Sequence, residues 1–129
     1  MHQPPLILIV DDAESFREIF STKLKASGFA VETASNAKDS IDKIRQLQPD
    51  LVLMDVEMPG MSGTDALLAI KADPEIKNTR VVFLTQHGRP NKEAQEFNRQ
   101  MAQQSGAEDY ILKSVDIDVI VRRVEEFLK

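Results

Sequence analysis

The sequence predicts an α/β fold in which a doubly wound, five-stranded parallel sheet carries helices on both faces. Two observations support this prediction. Five short apolar segments alternate strictly with helical patterns along the 129 residues. Three of these segments are nearly unbroken apolar runs, as expected for central strands that are buried on both faces of a parallel sheet. Strict alternation of strands and helices favours right-handed crossovers within one sheet.

The strand candidates differ in how completely apolar they are. The first, third and fourth are continuous runs, whereas the second alternates apolar and polar residues and is therefore predicted to be an edge strand. The five predicted strands span residues 6–10, 30–34, 51–55, 81–85 and 109–113.

Five helical patterns follow the five strands, each with apolar residues three or four positions apart. Gly28 is a predicted C-terminal cap of the first helix, Asn36 the N-cap of the second, and Pro74 helps to end the third. The apolar residues that define the helices are Phe16, Ile19, Phe20 and Leu24; Ala37, Ile41 and Ile44; Leu67, Leu68 and Ile70; Ala94, Phe97, Met101 and Ala102; and Ile117, Ile120, Val121, Val124 and Leu128.

The composition excludes several classes of function. Hydrophobic residues make up 42% of the chain and charged residues 29%, which suits one water-soluble domain spanning residues 1–129. A formal charge of -5 argues against direct binding to nucleic acid or to an anionic membrane. The sequence has no Cys, which excludes disulfides and thiolate chemistry and fits a reducing compartment. The run "LILIV" (6–10) is too short to span a membrane, so we expect a cytoplasmic protein.

Chemically useful side chains stand at the predicted carboxyl ends of the strands. Asp11 and Asp12 follow the first strand, Asp55 ends the third, Thr85 ends the fourth and Lys113 ends the fifth. The carboxyl ends of parallel strands share one edge of the sheet, which is where doubly wound sheets bind ligands. The sequence therefore predicts a site with three carboxylates, a hydroxyl and an ammonium group.

This set of groups points to phosphoryl chemistry. Crowded carboxylates raise one another's pKa, and a hard divalent cation relieves the repulsion. Mg²⁺ binds a few carboxylates, a carbonyl and several waters, so it is the predicted cofactor. Asp55 could then act as a nucleophile toward a phosphoryl group and form an acyl phosphate. Mg²⁺ and Lys113 would supply positive charge, and Thr85 a hydrogen-bond donor.

The motifs in this order resemble those of response-regulator receiver domains, and the resemblance covers nearly all of the chain. The matching stretches are "DD" (11–12), "DVEMPGMSG" (55–63), Thr85 and "GAEDYILK" (106–113). The resemblance implies a flavodoxin-like fold of the CheY type, with sheet order 2-1-3-4-5.

The resemblance also implies a role for each residue of the site. Asp55 is the expected phosphorylation site. Asp12 and Asp55 would bind Mg²⁺ directly, Asp11 mainly through water, and the backbone carbonyl of Glu57 would complete the protein ligands. Lys113 would contact the phosphoryl group.

The expected output is a conformational switch rather than an enzymatic product. Thr85 and Tyr110 would form the switch pair, and a shift between two packings would alter a face made by the fourth helix, fifth strand and fifth helix. Tyr110 could instead be a half-buried strand residue, and Lys113 a lysine at the rim of the sheet.

The resemblance implies protein partners. A sensor histidine kinase or phosphotransfer protein would donate the phosphoryl group, and an unknown downstream protein would read the switch. We expect a monomer or a phosphorylation-dependent dimer, which assists its own phosphotransfer and dephosphorylation without being an enzyme. The chain stops about where the fifth helix should end, which fits either a single-domain regulator or a fragment of a longer protein. Because Met1 opens the chain, we expect the single-domain regulator.

Three departures from the family pattern affect the rim of the site. Gln86 and then His87 follow Thr85, where the family usually has a small residue. The segment between Thr85 and Lys113 is about six residues longer than usual. We expect it to lengthen the fourth helix (92–105) at its N-terminal end, with residues 86–90 as a loop over the site that places Gln86 and His87 on its rim. The alternative is a flexible, solvated loop. Ser114 replaces the usual proline, which predicts a trans Lys113–Ser114 bond, because cis bonds before other residues cost roughly 3 kcal/mol.

Two other functions fit the same residues less well. A phosphorylation-independent interaction module would not need the acidic pair, Asp55 and Lys113. A phosphohydrolase with an aspartyl-phosphate intermediate would have a second Asp two positions after its nucleophile, where this chain has Glu57, and a lid domain that is not apparent here.

Overall fold

Five parallel strands form one sheet in the order β2-β1-β3-β4-β5, which confirms the predicted fold and strand order. The structure is a computed structural model, and it describes residues 2–85, 104, 106–113 and 116–129. The strands are β1 (Leu6–Val10), β2 (Ala30–Ala34), β3 (Leu51–Asp55), β4 (Val81–Thr85) and β5 (Asp109–Leu112). Only the end of β5 differs from the prediction, by one residue.

Four helices are described: α1 (Glu14–Ala26), α2 (Ala37–Leu47), α3 (Gly63–Ala72) and the C-terminal helix (Ile117–Phe127). They correspond to the first, second, third and fifth predicted helices. The predicted fourth helix (92–105) lies outside the described residues, apart from residue 104. Among the described helices, none is both long and apolar enough to cross a membrane.

The strand burial follows the sequence pattern. Every residue of β1, β3 and β4 is buried, because these strands lie inside the sheet and helices cover both of its faces. The alternating strand β2 lies at the sheet edge and is only partly buried, as predicted.

The helix ends also follow from local chemistry. The Asn36 side chain accepts a hydrogen bond from the Asp39 backbone N–H at 2.8 Å, so the predicted N-cap of α2 is confirmed. Gly28 follows α1 with φ +98°, a left-handed conformation that glycine adopts without steric cost. α3 ends at Ala72, two residues before Pro74.

Two apolar layers enclose the sheet. The inner layer on the α2 and α3 side includes Phe83 and Tyr110. The layer on the side of α1 and the C-terminal helix includes Phe20 and Ile111. Between these layers the strands end nearly level, because Val10 pairs with Met54, Asp55 with Leu84, and Thr85 with Leu112. The residues that follow the strands therefore meet at one edge, called the carboxyl edge below.

Candidate functional site

Three carboxylates meet at the carboxyl edge. Asp11 and Asp12 begin the loop after β1, and Asp55 is the last residue of β3. One oxygen from each carboxylate lies within 4.8 Å of the others. Asp11 is fully buried, Asp55 is 6% exposed and Asp12 is exposed. The predicted acidic cluster therefore exists, with two members in the protein interior and one at its rim.

The backbone around Asp11 holds its carboxylate in one orientation. The N–H of Asp11 donates to the carbonyl of Ala34 at 3.1 Å, and the Ala13 N–H donates to Asp11 Oδ1 at 2.9 Å. The guanidinium of Arg17 donates to the Asp11 carbonyl at 2.7 Å. These bonds leave Asp11 Oδ2 directed at the site.

Lys113 joins the two buried carboxylates. Its ammonium group forms an ion pair with Asp11 and lies 3.3 Å from Asp55 Oδ2, while only 6% of its side chain is exposed. Lys113 follows β5 instead of ending it, yet its N–H still donates to the Thr85 carbonyl at 2.9 Å, which fixes it beside β4. The Lys113 side chain is therefore buried at the carboxyl edge and is not exposed at the rim of the sheet.

Burial sets the protonation of Asp55. Loss of hydration raises the pKa of the Asp55 carboxyl above its ordinary value of 3.8, Lys113 opposes this rise, and Asp11 adds to it. The Glu57 N–H offers only a long hydrogen bond, 3.4 Å to Asp55 Oδ1. Burial and the neighbouring Asp11 carboxylate therefore outweigh the opposing effect of Lys113 on the Asp55 pKa, so a cation at this edge would be favourable.

The loop between β3 and α3 approaches the backbone of Asp55 closely. The Gly63 N–H donates to the Val56 carbonyl at 2.8 Å. A Cβ added at Gly63 would lie 2.2 Å from the Asp55 carbonyl oxygen, so only glycine fits there. Gly63 lies within the motif "DVEMPGMSG", and the sequence alone does not indicate this role. The available signal is the second glycine of "GMSG", which is the first residue of α3.

Thr85 and Tyr110 lie on the same face of the sheet. Phe83 pairs with Tyr110 across β4 and β5, and side chains alternate along a strand, so Thr85 shares the face of Phe83 and Tyr110. Thr85 is 8% exposed and Tyr110 5% exposed, with Tyr110 packed in the core layer. This placement is compatible with the predicted switch pair, and it is equally the position of a buried strand residue.

Sequence reasoning missed a contact from α1. The Lys113 ammonium lies 4.5 Å from the centre of the Phe16 ring. Phe16 was assigned only to the apolar side of the first helix, and the spacing of that helix carries no signal of a partner near residue 113. Of the other predicted site residues, Gln86 and His87 lie outside the described residues, as does Ser114 and with it the Lys113–Ser114 bond.

The donor set of this edge fits a hard divalent cation. Asp11, Asp12 and Asp55 offer three carboxylates, and carboxylate oxygens are the ligands that Mg²⁺ prefers in proteins. A sequence model described as the response regulator receiver domain matches residues 7–125. The chain belongs to this receiver domain family.

Receiver domains of known proteins resemble the whole chain. DivK, a polar-differentiation response regulator of Brucella anthropi, is 27% identical over 125 residues and covers 97% of each chain. PilH of Pseudomonas aeruginosa is 32% identical over 122 residues, 95% of this chain and 96% of its own. The structure of the chemotaxis response regulator CheY4 of Vibrio cholerae superposes with a TM-score of 0.82 and 25% identity, covering 95% of this chain and 98% of that chain. Receiver domains are signalling modules that interact with kinases and downstream targets.

Proposed function

We propose that this receiver domain accepts a phosphoryl group on Asp55 and switches a protein-interaction face in response. The observation that carries the proposal is the position of Asp55, whose Oδ2 lies 3.3 Å from a buried lysine while two further carboxylates approach within 4.8 Å. A buried nucleophile with one fixed cation beside it is suited to receive a group that brings several negative oxygens.

The proposed transfer is a direct displacement. An oxygen of the Asp55 carboxylate forms a bond to phosphorus as the bond between phosphorus and an imidazole nitrogen of the donor breaks, and the electron pair leaves with the imidazole. A histidine kinase or a histidine phosphotransfer protein would supply that group. Lys113 is held beside the nucleophile before the reaction, so its charge requires no rearrangement to meet the incoming oxygens. Thr85 would donate a hydrogen bond from the end of β4.

Asp11, Asp12 and Asp55, with the Glu57 carbonyl, would hold Mg²⁺. When bound, the ion would supply positive charge that offsets the crowded carboxylates and the phosphoryl oxygens. Asp12 is exposed and can rotate toward the ion, whereas Asp11 is fixed by the Ala13 N–H and by Lys113. This asymmetry supports direct binding by Asp12 and a water-mediated role for Asp11.

The switch would pass through Thr85 and Tyr110 to the face of the predicted fourth helix, β5 and the C-terminal helix. Their common side of the sheet and their burial support a coupled pair, since moving one buried group displaces its neighbours. We also propose that Gln86 and His87 control access of water to the acyl phosphate. Replacing either with Ala should then change the rate at which Asp55 loses phosphate.

Labelling with radioactive acetyl phosphate in the presence of Mg²⁺ tests the proposal. The parent protein should take up label, Asp55→Asn should take up none, and Asp65→Asn should behave as the parent, because Asp65 is an exposed residue of the first turn of α3. Undiminished labelling of Asp55→Asn would contradict the assignment. A parent that takes no label would favour the phosphorylation-independent module, and steady turnover of a phosphomonoester would favour a phosphohydrolase.

A further inference from the structure

The ring of Phe16 forms one wall around the Lys113 ammonium group. Phe16 lies in the first turn of α1, and the ammonium nitrogen is 4.5 Å from its ring centre. Phe16 also stacks on Phe20, with ring centres 5.3 Å apart and planes inclined by 14°. Phe20 is fully buried in the apolar layer on the side of α1 and the C-terminal helix, so the Phe16 ring packs on a fixed neighbour.

The other contacts of Lys113 show why the Phe16 ring is needed to hold the ammonium group in one position. Asp11 and Asp55 receive the ammonium group on one side, and the side chain is only 6% exposed. A lysine has a four-carbon stem with many rotamers, so two ion pairs alone do not determine where its charge points. Phe16 adds a third direction of attraction and limits the volume open to the stem.

An aromatic ring does this without competing for the reacting oxygens. The ring face attracts a cation through its quadrupole, and more strongly when water is excluded. A ring face is a poor hydrogen-bond acceptor compared with a carboxylate, so the three N–H donors of the lysine remain available to oxygen. An aliphatic residue of similar size would fill the space but would not attract the charge.

We propose that Phe16 is a positioning residue for phosphoryl transfer, acting through the Lys113 ammonium group, which its ring holds against Asp55. This inference rests on the proposed function, because the role of Lys113 is to meet the phosphoryl oxygens at Asp55. Phe16 itself contacts neither the nucleophile nor the donor in this account.

Three variants separate the role of the ring from simple packing. Phe16→Leu keeps an apolar side chain and removes the ring face, and Phe16→Tyr keeps the face. Phe127→Leu is the matched control. Like Phe16, Phe127 is partly buried against the apolar layer on the side of α1 and the C-terminal helix, and a cation, the Arg123 guanidinium, lies 5.8 Å from its ring centre. Phe127 differs in its position, which is the last turn of the C-terminal helix. We expect Phe16→Leu to take up label from acetyl phosphate about 3- to 30-fold more slowly than the parent. Phe16→Tyr keeps the ring face, so its labelling rate should remain within about 2-fold of the parent rate, a change no larger than the smallest cation–π contribution.

A spectroscopic measurement tests the contact independently of phosphorylation. In the metal-free, unphosphorylated protein, the ε-methylene protons of Lys113 should show an upfield ring-current shift in NMR spectra. That shift should be lost in Phe16→Leu, kept in Phe16→Tyr and unchanged in Phe127→Leu. If loosening of α1 caused the effects, the shift would not depend on whether residue 16 keeps an aromatic ring.

Each result bears on the proposal. Slow labelling and loss of the shift in Phe16→Leu alone would support it. Four results would overturn it. Phe16→Leu could take up label at the parental rate, or Phe127→Leu could be slowed equally. Phe16→Tyr could fail to keep the parental rate, or the parent could show no ring-current shift at Lys113. If the parent takes no label while its Lys113 shift is present, the proposed function fails, the positioning role fails with it, and the contact alone stands.

Discussion

At the amino edge of the sheet, where the strands begin, the acidic side chains of Glu108 and Asp73 each form an ion pair with an arginine, whereas at the carboxyl edge two buried carboxylates share one lysine. Arg80 donates to both carboxylate oxygens of Glu108 at 2.6 and 2.8 Å, and Arg45 donates to Asp73 at 2.8 Å. Among the described residues, Lys113 is the one cation within ion-pair distance of the cluster formed by Asp11, Asp12 and Asp55.

The difference appears in the protonation equilibria. Arg45, through its hydrogen bond, lowers the pKa of the Asp73 carboxyl, so that carboxylate is stabilised by its surroundings. Burial raises the pKa of Asp55, so its carboxylate is destabilised. One edge therefore uses its charges to hold the fold together, while the other holds unbalanced negative charge at a cost in stability. Unbalanced charge in a buried place is a mark of a functional site.

The largest expected effect concerns the backbone beneath Asp55. Gly63→Ala should destabilise the protein by about 3 kcal/mol, because the new methyl group would overlap the Asp55 carbonyl and rigid backbone cannot give way cheaply. Gly28→Ala, near the amino edge, meets no atom within 4 Å and should cost only about 1–2 kcal/mol, for its positive φ. Urea denaturation of both variants gives the comparison. Equal costs would mean that the loop after β3 can relax away from Asp55.

Mg²⁺ should correct the charge imbalance and stabilise the folded state. At about a hundredfold excess over its Kd, a ligand that binds only the folded protein adds roughly 2.7 kcal/mol. Thermal melts with and without MgCl₂ measure this, and Asp12→Ala should lose most of the gain. The control is Asp42→Ala, which removes an exposed carboxylate on α2 and should keep the full gain. A parent protein whose melting temperature ignores Mg²⁺ would contradict the proposed metal site.

Removing the charge of Asp55 should stabilise the metal-free protein. Its raised pKa means that the folded state holds the proton more tightly than the unfolded chain, so stability falls as pH rises from 3.8 through the raised value. Asp55→Asn cannot ionise and should melt above the parent at pH 7, by about 4 °C for each kcal/mol gained. The difference should shrink as the pH approaches 3.8. A variant less stable than the parent at pH 7 would show that the Lys113 ion pair outweighs burial.

An Asp→Asn substitution at the amino edge should change the melting temperature in the opposite direction and by the smallest amount. Asp73 has a lowered pKa, so its contribution is present above the ordinary carboxyl value of 3.8 and is lost as pH falls through the lowered one. Asp73→Asn should therefore melt slightly below the parent at pH 7. Added salt should reduce the difference, because the Asp73–Arg45 pair is partly exposed. Stabilisation by Asp73→Asn would remove the contrast between the two edges.

Much of the fold could be predicted because its signals are local. Continuous apolar runs identified β1, β3 and β4, and the cap residues Asn36 and Gly28 act within a few residues of their own helices. The position of the acidic cluster followed as well, since parallel strands bring Asp11 and Asp55 to one edge whatever the details of packing.

The missed features depend on contacts between distant residues. Phe16 and Lys113 are far apart in the chain, and an apolar residue on a helix gives no sign of which charge will lie above it. The Arg80–Glu108 pair arises only because Val82 pairs with Asp109 in the sheet register. The need for glycine at position 63 depends on how closely the backbone passes the Asp55 carbonyl, and the neighbouring residues in the sequence do not indicate that distance.

We infer that the unbalanced charge at the carboxyl edge serves to let Asp55 receive a phosphoryl group. Borohydride reduction after treatment with acetyl phosphate and Mg²⁺ identifies the phosphorylated residue, because borohydride reduces an acyl phosphate to an alcohol and so converts the phosphorylated aspartate to homoserine. Peptide mapping by mass spectrometry should find homoserine at position 55, dependent on both Mg²⁺ and acetyl phosphate. Homoserine at position 11 or 12 instead, or unmodified aspartate at all three positions, would contradict the account.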